Sequence, residues 1–245
     1  ASQYIPFAID EVNLDFQVLG PSANSEDSVD VLLAASRKEK VDDRVMVAEL
    51  AGLKPVIIDV EPYAARISID SIISQLPAGG EGLILAVFDI GQTATRLSVV
   101  YNGQTIFERE QPFGGSKLTQ EIVRLYGLTV EEAELKKRTG DLPENYTTEL
   151  LHPFVEEGAT ELARSLQFFF SSTPYERVDR ILLAGGAAVT PGLAEAVLQK
   201  TSVTTEILSP FQGMEIGDSI SEKQMTLDAP ALLVSCGLAM RRFDQ

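Results

Sequence analysis

The sequence predicts an α/β protein, and three stretches carry that expectation. Leu83 to Glu110 alternates apolar runs with turn residues in the manner of an antiparallel meander. Val178 to Ala184 is a β-prone apolar run that ends in Gly185-Gly186-Ala187 and leads into a helical stretch. Thr148 to Ser171 places Val155, Ala159, Leu162, Leu166, Phe169 and Phe170 at the helical period, the stripe of a long core helix. The chain has 245 residues, 44% of them hydrophobic, enough for one large or two medium domains.

Charge and composition exclude several function classes. A net charge of −16 argues against non-specific nucleic-acid binding and against adhesion to an anionic membrane. The single cysteine, Cys236, allows no internal disulfide and sits in an apolar run as a small core residue. His152 is the only histidine, so a His/Cys metal site has no ligand set. No signal peptide and no apolar run long enough to span a bilayer is visible, and a cytoplasmic address is expected.

Taken in order, Ala1 to Tyr4 reads as the end of a helix. Asn13 to Leu19 alternates as a strand, with Leu14, Phe16 and Val18 on one face. Val29 to Ala35 reads as a buried strand. Lys38 to Ala51 is an amphipathic helix, with Val41, Val45, Ala48 and Leu50 near the helical period and Gly52 as its stop. Lys54 to Val60 reads as a further strand, which makes a β-β-α-β unit without a catalytic cluster, an interaction module. A helix from Pro62 to about Leu76 follows. Pro62 suits its first position, and Glu61 near the N-cap meets the positive end of the helix dipole.

The meander begins at Leu83 to Phe88. Asp89 and Gly91 interrupt it and Thr95 to Tyr101 resume it. Asn102-Gly103 turns the chain because both positions of that turn tolerate positive φ, and Gln104 to Glu110 is the third strand. The first turn carries Asp89, Gly91, Gln92, Thr93 and Thr95. A glycine there admits close approach to the backbone, and successive N–H groups form an anion-binding nest. Asp89 is placed to orient water around a magnesium ion, which binds few carboxylates and keeps much of its water. The structural alternative is a hairpin whose Asp and Thr satisfy local backbone groups.

Gln111-Pro-Phe-Gly114-Gly115 is a turn, and Ser116 to Leu125 a helix. Thr129-Val-Glu-Glu132 is a capping box, and the helix it opens holds Glu134 and Lys137 on one face. That pair is either a surface ion pair or a contact for the ribose and base of a nucleotide. Thr190 is the expected N-cap of a helix opened by Pro191. Strand, Gly-Gly turn, helix suits a nucleotide at the carboxyl end of a sheet, and no G-x-G-x-x-G fingerprint is present. Thr205 to Leu208 is a short strand. A last helix runs from Asp228 to Arg242.

The order of these motifs is more specific than any one of them: Glu61-Pro-x-Ala, Asp89-x-Gly-x-Thr, Gly114-Gly115, Ala133-Glu134-x-x-Lys137, Leu183-Ala-Gly-Gly-Ala, then an Ala/Gly-rich helix. It resembles the second half of the actin-like ATPase superfamily, and within it the PilM family, the cytoplasmic actin-like component of type IV pilus assembly machines. Tyr4-Ile-Pro-Phe, Val29-Asp-Val-Leu-Leu-Ala-Ala, Gln111-Pro-Phe-Gly-Gly, Ser165-Leu-Gln-Phe-Phe-Phe and the stretch from Asp228 through Cys236-Gly-Leu-Ala-Met-Arg carry the resemblance over essentially the whole chain.

The resemblance implies a two-lobed actin-like (ribonuclease H-like) fold with a small FtsA-type α+β subdomain. Residues 1–60 would be that interaction subdomain and 61–82 a connecting helix of the first lobe. Residues 83–226 would be the second lobe, with a helical insert at about 116–175, and 227–245 a helix returning to the first. Asp89, Gly91, Gln92, Thr93 and Thr95 would form the second phosphate loop; the Gly114-Gly115 pair, read from the residues alone, is either a close backbone approach for a ligand or simply a break after the strand. Glu134 and Lys137 would contact the adenosine of ATP or ADP, Gly185, Gly186 and Ala187 would form the adenosine loop, and Glu61 would activate water. Magnesium would be held through water on Asp89.

The family starts with a further strand hairpin bearing a first phosphate loop. None precedes Ala1, so the resemblance implies a chain shortened at its N-terminus, at most a weak ATPase and inactive alone. The implied partner is the short cytoplasmic tail of a PilN-like inner-membrane protein, with other pilus assembly proteins and self-association beside it. Location at the membrane would come through partners rather than lipid contact. The alternatives are an FtsA-like filament and membrane adaptor, whose basic terminal helix is not seen here, and a small-molecule kinase of the same fold, which needs a second carboxylate base.

Overall fold

The computed structural model describes residues 5–22, 27–218 and 220–241. The expected helix end at Ala1 to Tyr4 and the last step of the expected final helix, at Arg242, lie outside the described residues. The chain divides into two compact units, Ala1–Tyr63 and Ala64–Gln245.

In the first unit, β1 (Val12–Pro21) and β2 (Val29–Arg37) form an antiparallel pair with Phe16 opposite Leu33 and a register shift between Val18 and Gly20. Residues i and i+2 share a face. Leu14, Phe16, Val18, Val31 and Leu33 therefore make one apolar face, and all five are exposed. The buried strand expected over Val29 to Ala35 is corrected: the strand forms, but among the described residues Val29, Val31 and Leu33 are exposed. Half-buried Leu32 and Ala34 point the other way. Helix α1 (Lys38–Leu50) packs on the hairpin and half-buries Val41, Val45 and Ala48, while Leu50, expected on its apolar stripe, is exposed. Gly52 follows the helix with φ +76°, a conformation that favours glycine. The strand expected over Lys54 to Val60 does not form, because an apolar β-branched run becomes a strand only when a neighbour takes its backbone hydrogen bonds.

The second unit opens within the first turn of α2 (Glu61–Ile73), where Pro62 occupies the second helical position and lacks only a hydrogen bond that the turn would leave unmade. A five-stranded sheet follows in the order β5-β4-β3-β6-β7. Its strands are β3 (Ile84–Ile90), β4 (Thr95–Tyr101), β5 (Gln104–Gln111), β6 (Arg180–Ala184) and β7 (Thr205–Ile207). The first three form the antiparallel meander, and β6 and β7 run parallel to β3. Asn102 and Gly103 both take positive φ, as the turn requires.

Both faces of the sheet are covered. Ala86, Phe88, Ile90, Leu97 and Val99 pack with α3 (Ser116–Tyr126), α5 (His152–Ser172) and α6 (Leu193–Thr201), whose buried members include Ile122, Leu162, Phe169 and Val197. Leu85, Val87, Val100 and Leu182 pack on Ile69, Ile72 and Ile73 of α2 and on Leu233. This is why β3 reads as an unbroken apolar run rather than an alternating one. α4 (Val130–Thr139) starts with the expected capping box between Thr129 and Glu132.

Two helix boundaries differ from expectation. Thr190 does not cap α6. Its hydroxyl donates back to the Ala187 carbonyl, and Gly192, with φ +84°, precedes the helix. The terminal segment is not one helix. α7 (Glu222–Asp228) passes through a 3-10 turn at Ala229–Leu232 into α8 (Leu233–Met240), because Pro230 has no N–H to continue the ladder. α8 lies very close to α2. A Cβ on Gly237 would sit 1.7 Å from the Ala64 carbonyl oxygen, and Ser68 Oγ donates to the Leu233 carbonyl at 2.7 Å.

Candidate functional site

The strand order fixes where the chemistry gathers. β3 ends at Asp89-Ile90, and β6, parallel to it with Ala184 opposite Asp89, ends at the same edge. The loop 91–94 and the turn Gly185–Ala187 therefore leave the sheet side by side. The turn after β5 joins them because β5 runs antiparallel to β4, with Gln111 opposite Thr95.

Hydrogen bonds tie the three turns together. Gly91 N–H donates to Ala94 O at 2.9 Å and closes the first loop. Gly115 N–H donates to Gly91 O at 3.0 Å and Ser116 N–H to Gln92 O at 2.8 Å. Ala187 N–H reaches Ile90 O at 3.0 Å, and Gly185 N–H reaches Pro230 O at 2.7 Å. Among the described residues, the N–H groups of Gln92, Thr93, Gly114 and Gly186 donate to no backbone carbonyl. Successive amides of this kind at the head of α3, where the helix dipole is positive, suit an anion.

The glycines serve the loops first. A Cβ on Gly114 would stand 2.5 Å from Gln92 O. One on Gly185, at φ +88°, would stand 2.3 Å from Ile90 O and 2.5 Å from Asp89 Oδ1. Their lack of a side chain lets the Gly114 turn close on the 91–94 loop and the Gly185 turn close on Ile90 and the Asp89 carboxylate. Gly186 is more open, with 3.8 Å to the nearest atom, the Ala231 side chain. Asp89 is half-buried, and Gln92 and Thr93 are exposed. Thr95 is fully buried and its hydroxyl donates to Phe113 O at 2.6 Å, so it holds the neighbouring turn in the way the structural alternative for this motif describes.

Glu134 and Lys137 of α4 join the cluster through Thr119 of α3, whose N–H donates to Gly115 O at 3.3 Å. Lys137 Nζ lies 2.7 Å from both Glu134 Oε1 and Thr119 Oγ1, and the Thr119 hydroxyl donates to the same carboxylate. Partial burial pushes the Glu134 carboxyl up. The hydrogen bonds from Lys137 and Thr119, with the charges of Lys137 and Arg138, outweigh it and hold the group below its ordinary value. Glu61 lies in the first unit, at the head of α2.

Thr119 was not singled out from the sequence. Its signal was position: one helical turn beyond Gly115, in the Ser-Lys-Leu-Thr that opens α3. Phe113, stacked on Phe154 with centroids 5.2 Å apart, was read only as part of a turn. Among the described residues no group of three or more His, Cys, Asp and Glu is placed to hold a metal ion. Amides that donate to no backbone carbonyl, a helix N-terminus and one half-buried carboxylate fit an anionic ligand with a largely hydrated divalent cation.

The fold defines the class. The structure matches a described crystal structure of the ethanolamine utilization protein EutJ from Carboxydothermus hydrogenoformans with a TM-score of 0.58 at 19% identity, covering 84% of this chain and 62% of that one. It matches MreB 5 of Spiroplasma citri bound to AMPPNP with a TM-score of 0.52 at 16% identity, covering 84% and 64%. This is an actin-like fold. A structure described as a PilM-PilN type IV pilus biogenesis complex matches with a TM-score of 0.77 at 29% identity, over 98% of this chain and 69% of that one. The model of the type IV pilus assembly protein PilM family matches residues 1–243, and the chain belongs to that family. Among the described residues no helix is long and apolar enough to cross a membrane.

Proposed function

We propose that this chain is an actin-like scaffold of type IV pilus assembly that binds ATP with magnesium at the Asp89 loop cluster and carries a PilN-like cytoplasmic peptide. The observation that carries the nucleotide part is the meeting of three glycine turns beside Asp89, with the amides of Gln92, Thr93, Gly114 and Gly186 donating to no backbone carbonyl among the described residues. The peptide part is supported by family membership and by the 29% identity to a chain of the PilM-PilN complex.

In this reading the amides of the 91–94 loop and the head of α3 receive phosphate oxygens. Magnesium, when bound, neutralises phosphate charge and keeps its water, and Asp89 accepts hydrogen bonds from that water. Gly185, Gly186 and Ala187 face the nucleoside. Glu134 and Lys137 receive the ribose and base side, with Thr119 fixing both. Attachment to a membrane runs through the peptide partner.

The test is calorimetric titration of the chain with ATP and magnesium, beside Asp89→Ala. Saturable binding that falls at least about tenfold in the variant supports the site, since removing a charged hydrogen-bonding partner costs on the order of 1.5–3 kcal/mol. Equal binding by both proteins overturns it. Titration with a synthetic PilN-like N-terminal peptide, with and without ATP, tests the scaffold half. No heat and no change in anisotropy with labelled peptide sinks that half.

A further inference from the structure

One polar contact lies in the apolar seam between β5 and α5. Ser165 sits on the buried stripe of α5 between Leu162, Leu166 and Phe169, and is 2% exposed. Its hydroxyl donates to Gln111 Oε1 at 2.5 Å. Gln111 is 9% exposed, and its Nε2 has no partner. The other rungs of this seam centre on aromatic rings: Phe107 on Phe169 with centroids 5.4 Å apart, Phe107 on Phe168 at 6.1 Å, and the Arg109 guanidinium over the Phe168 ring, 4.0 Å from its centroid. A buried amide with an unused donor adds little stability, because the unmade hydrogen bond costs about as much as the made one returns. An alanine and a leucine would fill the seam as well.

What the pair supplies is direction. Gln111 is the last residue of β5 and precedes Pro112, which restricts its backbone to extended conformations. Its carbonyl accepts from Phe113 N–H at 2.9 Å and tightens the turn, while cross-strand Thr95 bonds Phe113 O. Two residues on, Gly115 and Ser116 donate into the Gly91–Gln92 loop. A path of hydrogen bonds thus runs from Ser165 through Gln111 and the turn to the loop beside Asp89. Phe113 also packs against Phe154 and Gly158 of α5, an apolar contact that fixes distance but not orientation, and Lys117 at the head of α3 pairs with Glu157 of α5 in an exposed ion pair.

We infer that Gln111 and Ser165 are positioning residues, a buried strut that orients the Gly114–Gly115 turn against the Gly91–Gln92 loop, so that α5 sets how long the cluster retains a nucleotide. The retention half rests on the nucleotide reading above; the orientation half does not.

Two readouts on the 245-residue chain separate them, using Ser165→Ala and the volume-conserving Gln111→Met. Residue-resolved amide exchange is the first. Exchange at Gly115 and Ser116 rises on the order of tenfold in either variant while Leu183 and Val197 keep near wild-type protection. Uniform acceleration at all four sites means a merely structural bond and overturns the strut, as does no change at Gly115 and Ser116. The double variant exchanges no faster than the single ones, because both remove the same contact. Release of fluorescent mant-ATP with magnesium is the second, and is several-fold faster in both variants. Wild-type release rates in the variants overturn the retention half alone. Failure of the wild-type chain to bind mant-ATP overturns the nucleotide reading and the retention half together, and the amide result still decides the strut.

Discussion

The two units treat apolar side chains in opposite ways. In the second, Phe88 at the centre of the sheet is 0% exposed and covered on its face by three helices. In the first, Phe16 at the centre of the hairpin is 65% exposed, and Val12 is the only buried apolar side chain among the described residues up to Tyr63. Both phenylalanines sit in strands with apolar neighbours on their own face, Leu14 and Val18 beside Phe16 and Ala86 and Ile90 beside Phe88. The difference is the number of layers. A two-stranded sheet with one helix covers one face, and a two-stranded pair is marginal alone. A five-stranded sheet between two helix layers covers both. An apolar pattern therefore states what a strand can bury, and the surrounding layers decide whether it does.

Truncation of the two phenylalanines gives the largest contrast. Phe88→Ala is expected to destabilise the second unit by about 3–5 kcal/mol, because it opens a cavity among close-packed neighbours. Phe16→Ala is expected to change stability by less than about 0.5 kcal/mol. Urea unfolding followed by residue-resolved amide exchange reads both units separately. A loss for Phe16→Ala comparable to that for Phe88→Ala would mean that the hairpin face is covered in solution, and would end the comparison in its present form.

Glycines give the next contrast. Gly237→Ala places a Cβ where the Ala64 carbonyl already stands, and α2 and α8 must separate, at about 3 kcal/mol. Gly52→Ala meets open space and contends only with a φ of +76°, at about 1 kcal/mol. Thermal unfolding orders the two, and a reversed order would mean that the helix pair yields more easily than its packing indicates. Gly185→Ala combines both problems against Ile90 O and Asp89 Oδ1, so its effect on ATP binding should match or exceed that of Asp89→Ala.

The same contrast governs what was legible in the sequence. The meander, the Asn102-Gly103 turn and the three glycine turns were legible because each is set by local chemistry: alternation, positive φ, absence of a Cβ. The inward orientation of Thr95 was also open to reading, since it falls on the same alternation as Leu97 and Val99, but the motif drew attention to its hydroxyl rather than to its face. That Lys54 to Val60 lies outside any strand was not legible, because β propensity does not say whether a neighbouring strand is present. Thr190 was misread for a subtler reason. A Thr-Pro pair matches a helix start, yet its hydroxyl bonds backward to Ala187 and the turn continues to Gly192. The strut from Ser165 to Gln111 joins residues 54 positions apart and has no local signature.

Capping offers a smaller test. α4 has its capping box, whereas Arg37, which precedes α1, supplies no side-chain cap. Thr129→Ala is expected to cost the second unit about 1 kcal/mol, read as faster amide exchange at Glu132 and Ala133. Unchanged exchange there would show that packing of Ala133, which is fully buried, holds the helix start without the cap.

The smallest expected effect is on acid stability, and its sign follows from Glu134. The folded protein holds this carboxyl below its ordinary value, since the bonds from Lys137 and Thr119 need the charged form. A depressed folded pKa gives stability that is present above the unfolded value and is lost as pH falls through the folded one. The window therefore opens near pH 4.5 and extends below it. Glu134→Gln should remove that part of the acid dependence and leave the neutral-pH Tm shifted by no more than a degree or two. The side chain is 40% exposed, so solvent screening keeps the pair at the weak end of surface ion pairs, about 0.5 kcal/mol or less. Thermal melts of both proteins at pH 7 and pH 3.5 check this. A variant whose melting temperature falls as steeply with acid as the wild type would place the acid-sensitive contact elsewhere in the chain. A much larger loss at pH 7 would instead show that the Thr119–Lys137–Glu134 cluster is a main tie between α3 and α4, and so a support for the Gly115 turn that the site depends on.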